Sequence, residues 1–305
     1  MNDKMLILNR FSLPDYDTQE FKAYESLILP QALERLKELT AEEGYWVATE
    51  ARLDGELVGC AMAQYFSINQ TAQLYSLVVK ENYRQRGIGQ ALFQCLETTL
   101  KEQDHIFALG FEYEKNDAYA PAIEKILAHR QWNPPKLYLV RCHFDAYAFN
   151  PRWIHLANRF PPEMELFKWK DLTAKERQRI AFMRDQGMFL PYLSPFREEK
   201  QIDLPTSVGL RYKNQVIGWS ITHRLDPDTL RYSALYIDKN FQFSGYGILL
   251  LSESIRLHKQ LPIPRAIFEI NLQEIDLSWR RFVKKRLIPI SDRVERMKWA
   301  IQIYI

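Results

Sequence analysis

Apolar and polar positions alternate in short runs along much of the chain, and these runs predict strands. In the first half, the runs Trp46–Arg52 and Leu57–Phe66 flank an Asp-Gly pair that is typical of a tight hairpin. A third run, Gln73–Val79, precedes Gly87–Lys101, where apolar residues recur every three to four positions as on one face of a helix. The pattern therefore predicts a strand hairpin, a further strand and then a long amphipathic helix.

The same order of elements occurs twice, which indicates an internal repeat. Leu77–Gly89 aligns with Leu235–Gly247 at an offset of 158 positions (235 minus 77). Upstream, Gly59 aligns with Gly218 at an offset of 159 (218 minus 59). Because the register holds across separate segments, we interpret the chain as a duplicated domain.

The length of 305 residues suits two domains of about 150 residues each. Prolines interrupt the stretch between the repeats, so we expect a first domain over 1–150, a connector over 151–163 and a second domain over 164–305. Each domain is predicted to be α/β (α+β), with Lys136–Phe144 and Arg296–Ile303 as the closing strands of the first and second domains.

Composition narrows the class of protein without identifying it. The formal charge of +3 is too small for the basic stripe that is typical of nucleic-acid binding. The three cysteines, Cys60, Cys95 and Cys142, form no CxxC pair, so neither a metal site nor a disulfide framework is predicted. The N-terminus has neither a signal peptide nor a membrane span, and we expect a cytoplasmic protein with reduced thiols.

The segment between the third strand and the helix, Arg84-Gln85-Arg86-Gly87-Ile88-Gly89, is the candidate binding loop. The first N–H groups of a helix have no partner within it, and the helix dipole adds positive potential there. Glycines at this position let an anion such as a phosphate approach the backbone. Leu92-Phe93 stands where a dinucleotide fingerprint needs its third glycine, and no Walker Gly-Lys-Ser/Thr occurs, so neither nucleotide loop is predicted.

Arg84–Gly89 and Gln242–Gly247 both fit the pattern [Arg/Gln]-x-x-Gly-x-[Gly/Ala], which follows the fourth strand in the GNAT (Gcn5-related) N-acetyltransferase family. The chain thus resembles a tandem GNAT protein, with two consecutive GNAT-like domains that each contain a mixed, mostly antiparallel sheet flanked by helices. The resemblance implies an acyltransferase that moves an acetyl or longer acyl group from acyl-CoA to the amine of a small molecule or peptide. Three alternatives stay open: a fatty-acyl transferase acting on a Lys or Orn side chain of a peptide natural product, a transferase whose thioester donor is an acyl carrier protein, and a non-catalytic acyl-CoA-binding module.

The resemblance also implies which residues meet the co-substrate, acetyl-CoA or a longer acyl-CoA. In the first half these are the end of the strand, the loop, the helix start and one asparagine: Leu77, Val78, Val79, Arg84, Gln85, Arg86, Gly87, Ile88, Gly89, Gln90 and Asn116. A possible second loop comprises Leu235, Tyr236, Ile237, Gln242, Gly245, Tyr246 and Gly247. Because this second loop lacks the arginines of the first, we expect the first half to bind the diphosphate.

Catalytic candidates follow from their positions relative to these loops. Glu112 ends the strand after the cofactor helix and is a candidate base. No tyrosine stands at the usual place of the family's thiolate acid, so Tyr119, early in the next helix, is a substitute candidate. Asn116 is a candidate for a pantetheine contact and for the N-cap of a helix over Ala118–Arg130.

Glu253, on the second cofactor-type helix, is the candidate acceptor residue. It stands where the first copy has the apolar Cys95, and a buried carboxylate needs a partner or a wet cavity. One interpretation is an acceptor wall that binds a cationic amine. The other is a rotated helix that directs Leu250, Leu251 and Ile255 to the core.

Overall fold

The computed structural model describes residues 5–11, 13, 18–38, 44–156, 160–242, 244–273, 275 and 277–304. The chain forms two compact units, Met1–Tyr138 with Met297–Ile305, and Leu139–Arg296. Each unit contains a mixed sheet with helices packed against it, as the sequence predicts.

Within its described residues, the first unit contains six strands and four α-helices. In chain order they are β1 (Leu6–Phe11), α1 (Gln19–Glu25), α2 (Pro30–Glu38), β2 (Tyr45–Leu53), β3 (Glu56–Phe66), β4 (Thr71–Val79), α3 (Ile88–Glu102), β5 (Ala108–Glu114), α4 (Ala120–His129) and the last part of β12 (Arg293–Ile303). Strands β1 to β4 form an antiparallel meander. Strand β5 is parallel to β4 and antiparallel to β12.

The second unit repeats this topology with its own elements, β6 (Lys136–Asp145), β7 (Met164–Lys168), α5 (Ala174–Asp185), β8 (Val208–Tyr212), β9 (Gln215–Asp226), β10 (Thr229–Ile237), α6 (Tyr246–His258), β11 (Arg265–Asn271) and α7 (Leu277–Phe282). Strands β7 to β10 form the meander. Strand β11 is parallel to β10 and antiparallel to β6.

The closing strands differ from the prediction, because each completes the sheet of the other half. From Leu139 onward, β6 belongs to the second unit and pairs with β11. From Met297 onward, β12 belongs to the first unit and pairs with β5. Backbone hydrogen bonds define a sheet whatever the sequence separation of its strands, so the predicted domains 1–150 and 164–305 do not coincide with the compact units.

Helices cover both faces of the first sheet, and the cores on these faces decide which side chains are available for a site. One face packs against α3 and α4 through Leu92, Phe93 and Leu96. The other packs against α1 and α2 through Phe21, Leu27 and Ala32. A fully buried leucine or phenylalanine contributes about 1.5–3 kcal/mol, so the amphipathic pattern of α3 accounts for its position.

Two glycines lie where a side chain would clash with a neighbouring element, at equivalent positions in the two units. A Cβ atom on Gly59 would lie 2.7 Å from Leu92 Cδ1, and one on Gly218 would lie 2.7 Å from the backbone oxygen of Tyr236. We expect Gly59→Ala and Gly218→Ala each to lower the free energy of unfolding by about 1–3 kcal/mol, the latter more because backbone cannot yield. Chemical denaturation measures this change.

Gly247→Ala is the matched control, since its Cβ would lie 3.7 Å from the nearest atom. It should change the free energy of unfolding by no more than about 0.5 kcal/mol. Equal stability of Gly218→Ala and Gly247→Ala would contradict the packing argument.

Helix α5 begins with a capping box that is joined to an ion pair. Glu176 accepts a hydrogen bond from the Thr173 N–H at 2.8 Å, and Arg211 Nε donates to Glu176 Oε1 at 2.6 Å. The Arg211 guanidinium lowers the pKa of Glu176 from 4.5 to about 2. The pair therefore stabilises the fold fully above pH 4.5, and this contribution is lost as the pH falls toward 2.

Glu176→Gln is expected to lower the free energy of unfolding by about 1–2 kcal/mol at pH 7, and by much less at pH 2. Denaturant titrations followed by tryptophan fluorescence at several pH values measure the difference. A difference that stays constant between pH 7 and pH 2 would exclude the ion pair as its source.

No helix in the described part of the chain is both long and apolar enough to cross a membrane.

Candidate functional site

Strands β4 and β5 separate in the middle of the first sheet and leave a cleft. Their parallel pairing covers only Thr71–Leu74 of β4 with Ala108–Phe111 of β5. Tyr75 forms a β-bulge, because Leu74 and Ser76 pair with consecutive residues of β3 and the register skips Tyr75. Beyond the bulge, β4 has no β5 partner, so the backbone groups of Leu77–Val79 on that side, apart from the Val79 carbonyl, are available to an extended ligand.

The loop after β4 leads into an open helix N-terminus. Gly87 is the N-cap of α3 in the left-handed conformation (φ 80°), and no side chain caps the helix. The first intrahelical bond runs from Ala91 N–H to the Gly87 carbonyl at 3.0 Å, so the N–H groups of Ile88, Gly89 and Gln90 precede it. A Cβ on Gly87 would meet no atom within 4 Å, so the left-handed backbone, and not packing, favours glycine here.

Two arginines surround this helix N-terminus. Arg84 Nε donates to the Val79 carbonyl at 2.9 Å, which attaches the loop to the strand end. Arg84 Nη1 donates to the Tyr119 hydroxyl at 3.3 Å, and its guanidinium lies 5.1 Å from the Tyr119 ring centre. Arg86 is exposed and lies over the Tyr83 ring. The loop thus combines backbone donors with two guanidinium groups, which fits a diphosphate.

Glu112 lies at the point where the strands separate. It follows Phe111, the last residue of β5 that pairs with β4, and it is half-buried. Phe111 and Tyr113 pack into the α3/α4 core, so the Glu112 side chain faces the opposite side of the sheet. The Glu112 carboxylate has no hydrogen bond or ion pair with any other residue that the structure describes.

The sequence of the first unit matches a known family. Residues 8–127 match the family model of the acetyltransferase (GNAT) family. The first unit is a GNAT domain. No curated protein matches the chain in sequence.

Solved structures extend the likeness in fold to the second unit. A tandem GNAT protein from the clavulanic acid biosynthesis pathway is 13% identical, covers 98% of both chains and has a TM-score of 0.58. A GCN5-related N-acetyltransferase from Sphaerobacter thermophilus is 12% identical, with 90% of this chain and 84% of that chain covered and a TM-score of 0.58. A GCN5-related glucosamine N-acetyltransferase region of a fungal β-N-acetylglucosaminidase is 13% identical, with 98% of this chain and 38% of that chain covered and a TM-score of 0.63. The chain therefore has the tandem GNAT fold.

The second GNAT-like unit reproduces the cleft geometry almost residue for residue. Parallel pairing of β10 with β11 ends at Tyr232, and Ser233 is the bulge, 158 positions after Tyr75. Gly245 is again the left-handed N-cap (φ 84°). Gln242 Nε2 donates to the Ile237 carbonyl at 3.1 Å, as Arg84 does to Val79. The second loop therefore keeps the GNAT backbone shape and the hydrogen bond to the strand end, but it lacks the cationic side chain.

The carboxylate at the separation point of the second unit is neutralised by its surroundings. Glu269 follows Phe268, the last β11 residue paired with β10, so it corresponds to Glu112. Arg141 Nε donates to Glu269 at 2.6 Å, and Arg231 Nη1 lies 3.8 Å from it. Guanidinium groups therefore occupy this carboxylate, whereas the Glu112 carboxylate has no such partner among the described residues.

Tyr119 lies beside the Arg84–Gly89 loop, and Asn116 precedes Tyr119 by three residues in the chain. The hydroxyl of Tyr119 is at Arg84, and Tyr75 lies about 13 Å farther along β4 at 3.3 Å per residue. Tyr119 thus fits a loop contact better than a proton donor to the thiolate. Helix α4 begins at Ala120 with Tyr119 as its N-cap, so Asn116, exposed in the preceding turn, is not the cap. Asp117 instead accepts a hydrogen bond from the Tyr119 N–H.

Glu253 does not present a free carboxylate. It is 8% exposed and accepts hydrogen bonds from Arg256 at 2.6 and 2.8 Å. Leu250, Leu251 and Ile255 are buried, as in the rotated-helix interpretation. In the acceptor-wall interpretation, a substrate amine would supply the positive charge beside Glu253. In the structure, Arg256 of the same helix supplies that charge.

Sequence reasoning missed several residues around the first cleft. Gln73 of β4 and Trp299 of β12 lie beside Gly110 of β5, where a Cβ would be 2.5 Å and 3.3 Å from their side chains. Gln73 could have been identified from the sequence, because it is a polar residue within an apolar strand. Trp299 could not, because it belongs to the strand that joins this sheet from the far end of the chain. The described residues hold no group of three or more His, Cys, Asp or Glu placed to bind a metal ion.

Proposed function

We propose that the first unit transfers the acetyl group of acetyl-CoA to a primary amine. The observation that carries this proposal is the convergence of three features on one cleft. They are the cationic loop at the start of α3, the unpaired strand end Leu77–Val79, and the unpaired carboxylate of Glu112. The second unit also has a loop at a helix start and an unpaired strand end, but that loop lacks the arginines, and its carboxylate is paired.

The residues fit a CoA ester. The N–H groups of Ile88, Gly89 and Gln90, with Arg84 and Arg86, would hold the diphosphate, each charge-assisted bond contributing roughly 1.5–3 kcal/mol. The open edge of Leu77–Val79 would pair with the amides of the pantetheine arm, as an added strand does. This placement directs the thioester toward Tyr75 and Glu112, where the strands separate.

Glu112 would act on the acceptor amine. An alkyl amine with a pKa of ~10.4 is neutral only about 0.1% of the time near pH 7.4, which costs ~4 kcal/mol. The Glu112 carboxylate would accept a proton from the amine, directly or through water. Acetyl-CoA supplies the electrophilic carbonyl. The C–N bond forms as the C–S bond breaks, and the thiolate, with a thiol pKa of roughly 8.5, leaves and takes up a proton from solvent.

A non-catalytic acyl-CoA-binding module is the second candidate. It is favoured by the position of Tyr119, whose hydroxyl lies on Arg84 rather than at the point where the thiolate would form.

Thiol release from acetyl-CoA with a panel of primary amines tests the proposed function. We expect amine-dependent release well above hydrolysis, together with the mass of the acetylated amine. Binding of acetyl-CoA without release for any amine would favour the binding module. Faster release from octanoyl-CoA than from acetyl-CoA would identify a longer acyl group as the natural donor.

A further inference from the structure

A row of polar side chains crosses the face of the first sheet that carries Glu112. Trp46 of β2 is directly opposite Gln64 of β3, Gln64 is opposite Gln73 of β4, and Gln73 is opposite Gly110 of β5. Residues directly opposite on neighbouring strands share a face, with Cβ atoms about 5 Å apart. Trp46 packs with the α1/α2 core, which places this polar row, Trp46–Gln64–Gln73, on the Glu112 face.

Two hydrogen-bond donors in this row have no acceptor in the part of the chain that the structure describes. Gln64 is fully buried (0% exposed), and Arg35 Nε of α2 donates to its Oε1 at 3.2 Å. That bond orients the amide, and its Nε2 has no partner among the described residues. The same holds for Nε1 of Trp46, which is also buried. A buried donor without an acceptor destabilises a fold, so two side by side need an explanation.

The second unit shows that the fold itself can satisfy this position. Gln64 is opposite Gln73, and the corresponding pair in the second unit is His223 opposite Arg231. His223 is equally buried, but its Nδ1 lies 2.7 Å from Ser233 Oγ and its Nε2 lies 2.9 Å from the Arg197 carbonyl. In the second unit the chain completes the hydrogen bonds, and in the first it leaves two donors without an acceptor among the described residues.

We propose that Gln64 and Trp46, with Arg35 orienting the Gln64 amide, bind a carboxylate carried by the acceptor amine. Two neighbouring N–H donors are complementary to the two oxygens of a carboxylate. In the sheet, Gln64 lies two strands away from Glu112 in the direction across the strands and two residues away in the direction along them. This gives about 12 Å between their Cα atoms. The acceptor is thus an amine whose carboxylate lies several bonds from its nitrogen. This inference rests on the proposed function.

Binding of three matched probes to the full-length protein saturated with CoA tests the inference without requiring turnover. The probes are 5-aminopentanoate, 5-aminopentanamide and pentylamine, measured by titration calorimetry. We expect 5-aminopentanoate to bind at least tenfold more tightly than the other two. Equal affinity of the amide and the carboxylate, or of pentylamine and the carboxylate, would overturn the proposal.

Variants locate the site. Gln64→Glu keeps a partner for Arg35 while it replaces the donor by a negative charge, and it should abolish the preference for 5-aminopentanoate. Trp46→Phe removes only the Nε1 donor and should lower the preference severalfold. Gln94→Leu, at an exposed position of α3, is the control and should keep it. If Gln64→Glu and Trp46→Phe both bind 5-aminopentanoate as the wild type does, the donors are satisfied by water and the proposal fails.

Amine-dependent thiol release separates this failure from that of the proposed function. Release without a carboxylate preference would overturn only the acceptor site. A carboxylate preference in binding without release for any amine would support carboxylate binding at Gln64 and Trp46 and overturn the transferase.

Discussion

Replacing Glu112 by glutamine is expected to lower kcat for amine acetylation at pH 7 by at least 100-fold. A general base contributes about 10²–10⁴ in rate, and Glu112 is a carboxylate at the cleft with no partner among the described residues. The affinity for acetyl-CoA should not change, because the diphosphate loop is untouched. Steady-state kinetics over a pH series measure both effects. The rate of the variant should rise as the pH approaches the amine pKa of ~10.4, where a base is no longer needed.

Glu269→Gln is the matched control, because Glu269 occupies the equivalent position of the second unit. Removing its charge leaves Arg141 and Arg231 without this partner, so we expect a lower melting temperature with kcat unchanged. Loss of turnover in Glu269→Gln, with full activity in Glu112→Gln, would show that the second unit carries the chemistry.

Charge reversal at Arg84 and Arg86 is expected to weaken acetyl-CoA binding by more than 100-fold. Each guanidinium removed costs roughly 1.5–3 kcal/mol of charge-assisted bonding, and the new carboxylates repel the diphosphate. Both side chains are exposed, so the fold should be retained. Calorimetric titration of acetyl-CoA measures the dissociation constant, and raising the salt concentration should reduce the difference.

The pair Gln242→Glu and Ser244→Glu places the same charges at the equivalent positions of the second loop. We expect this double variant to bind acetyl-CoA within a factor of about two of the wild type. Weaker binding in this variant than in the Arg84 and Arg86 variant would place the cofactor in the second unit.

The backbone of both loops could be predicted from the sequence. Gly87 and Gly245 are left-handed N-caps, and each begins the helix that the apolar periodicity indicated. Such features are local, since they depend on conformational freedom and hydrogen bonding within about ten residues. The offset of 158 positions extends to the bulges at Tyr75 and Ser233, so the duplication held in three dimensions.

Helix α4 shows where local reasoning failed. An asparagine before a helical pattern favours an N-cap, yet the chain makes a further turn and Tyr119 takes that position. The Tyr119 backbone N–H instead bonds to Asp117. Boundaries of this kind depend on competing caps a few residues apart, and their free energies differ too little for a pattern to decide between them.

By itself, the sequence determined the duplication, the strand and helix order, the loop at each helix start and the charge that distinguishes the two loops. These features are set by local periodicity, by glycine and by side-chain charge. Only the tertiary structure decided which strand closes each sheet and which carboxylate is unpaired. Strand pairing joins residues as distant as Glu112 and Trp299, and ion pairs such as Arg141 with Glu269 depend on that pairing. No pattern within a single segment records contacts that form only when separate segments meet in one sheet.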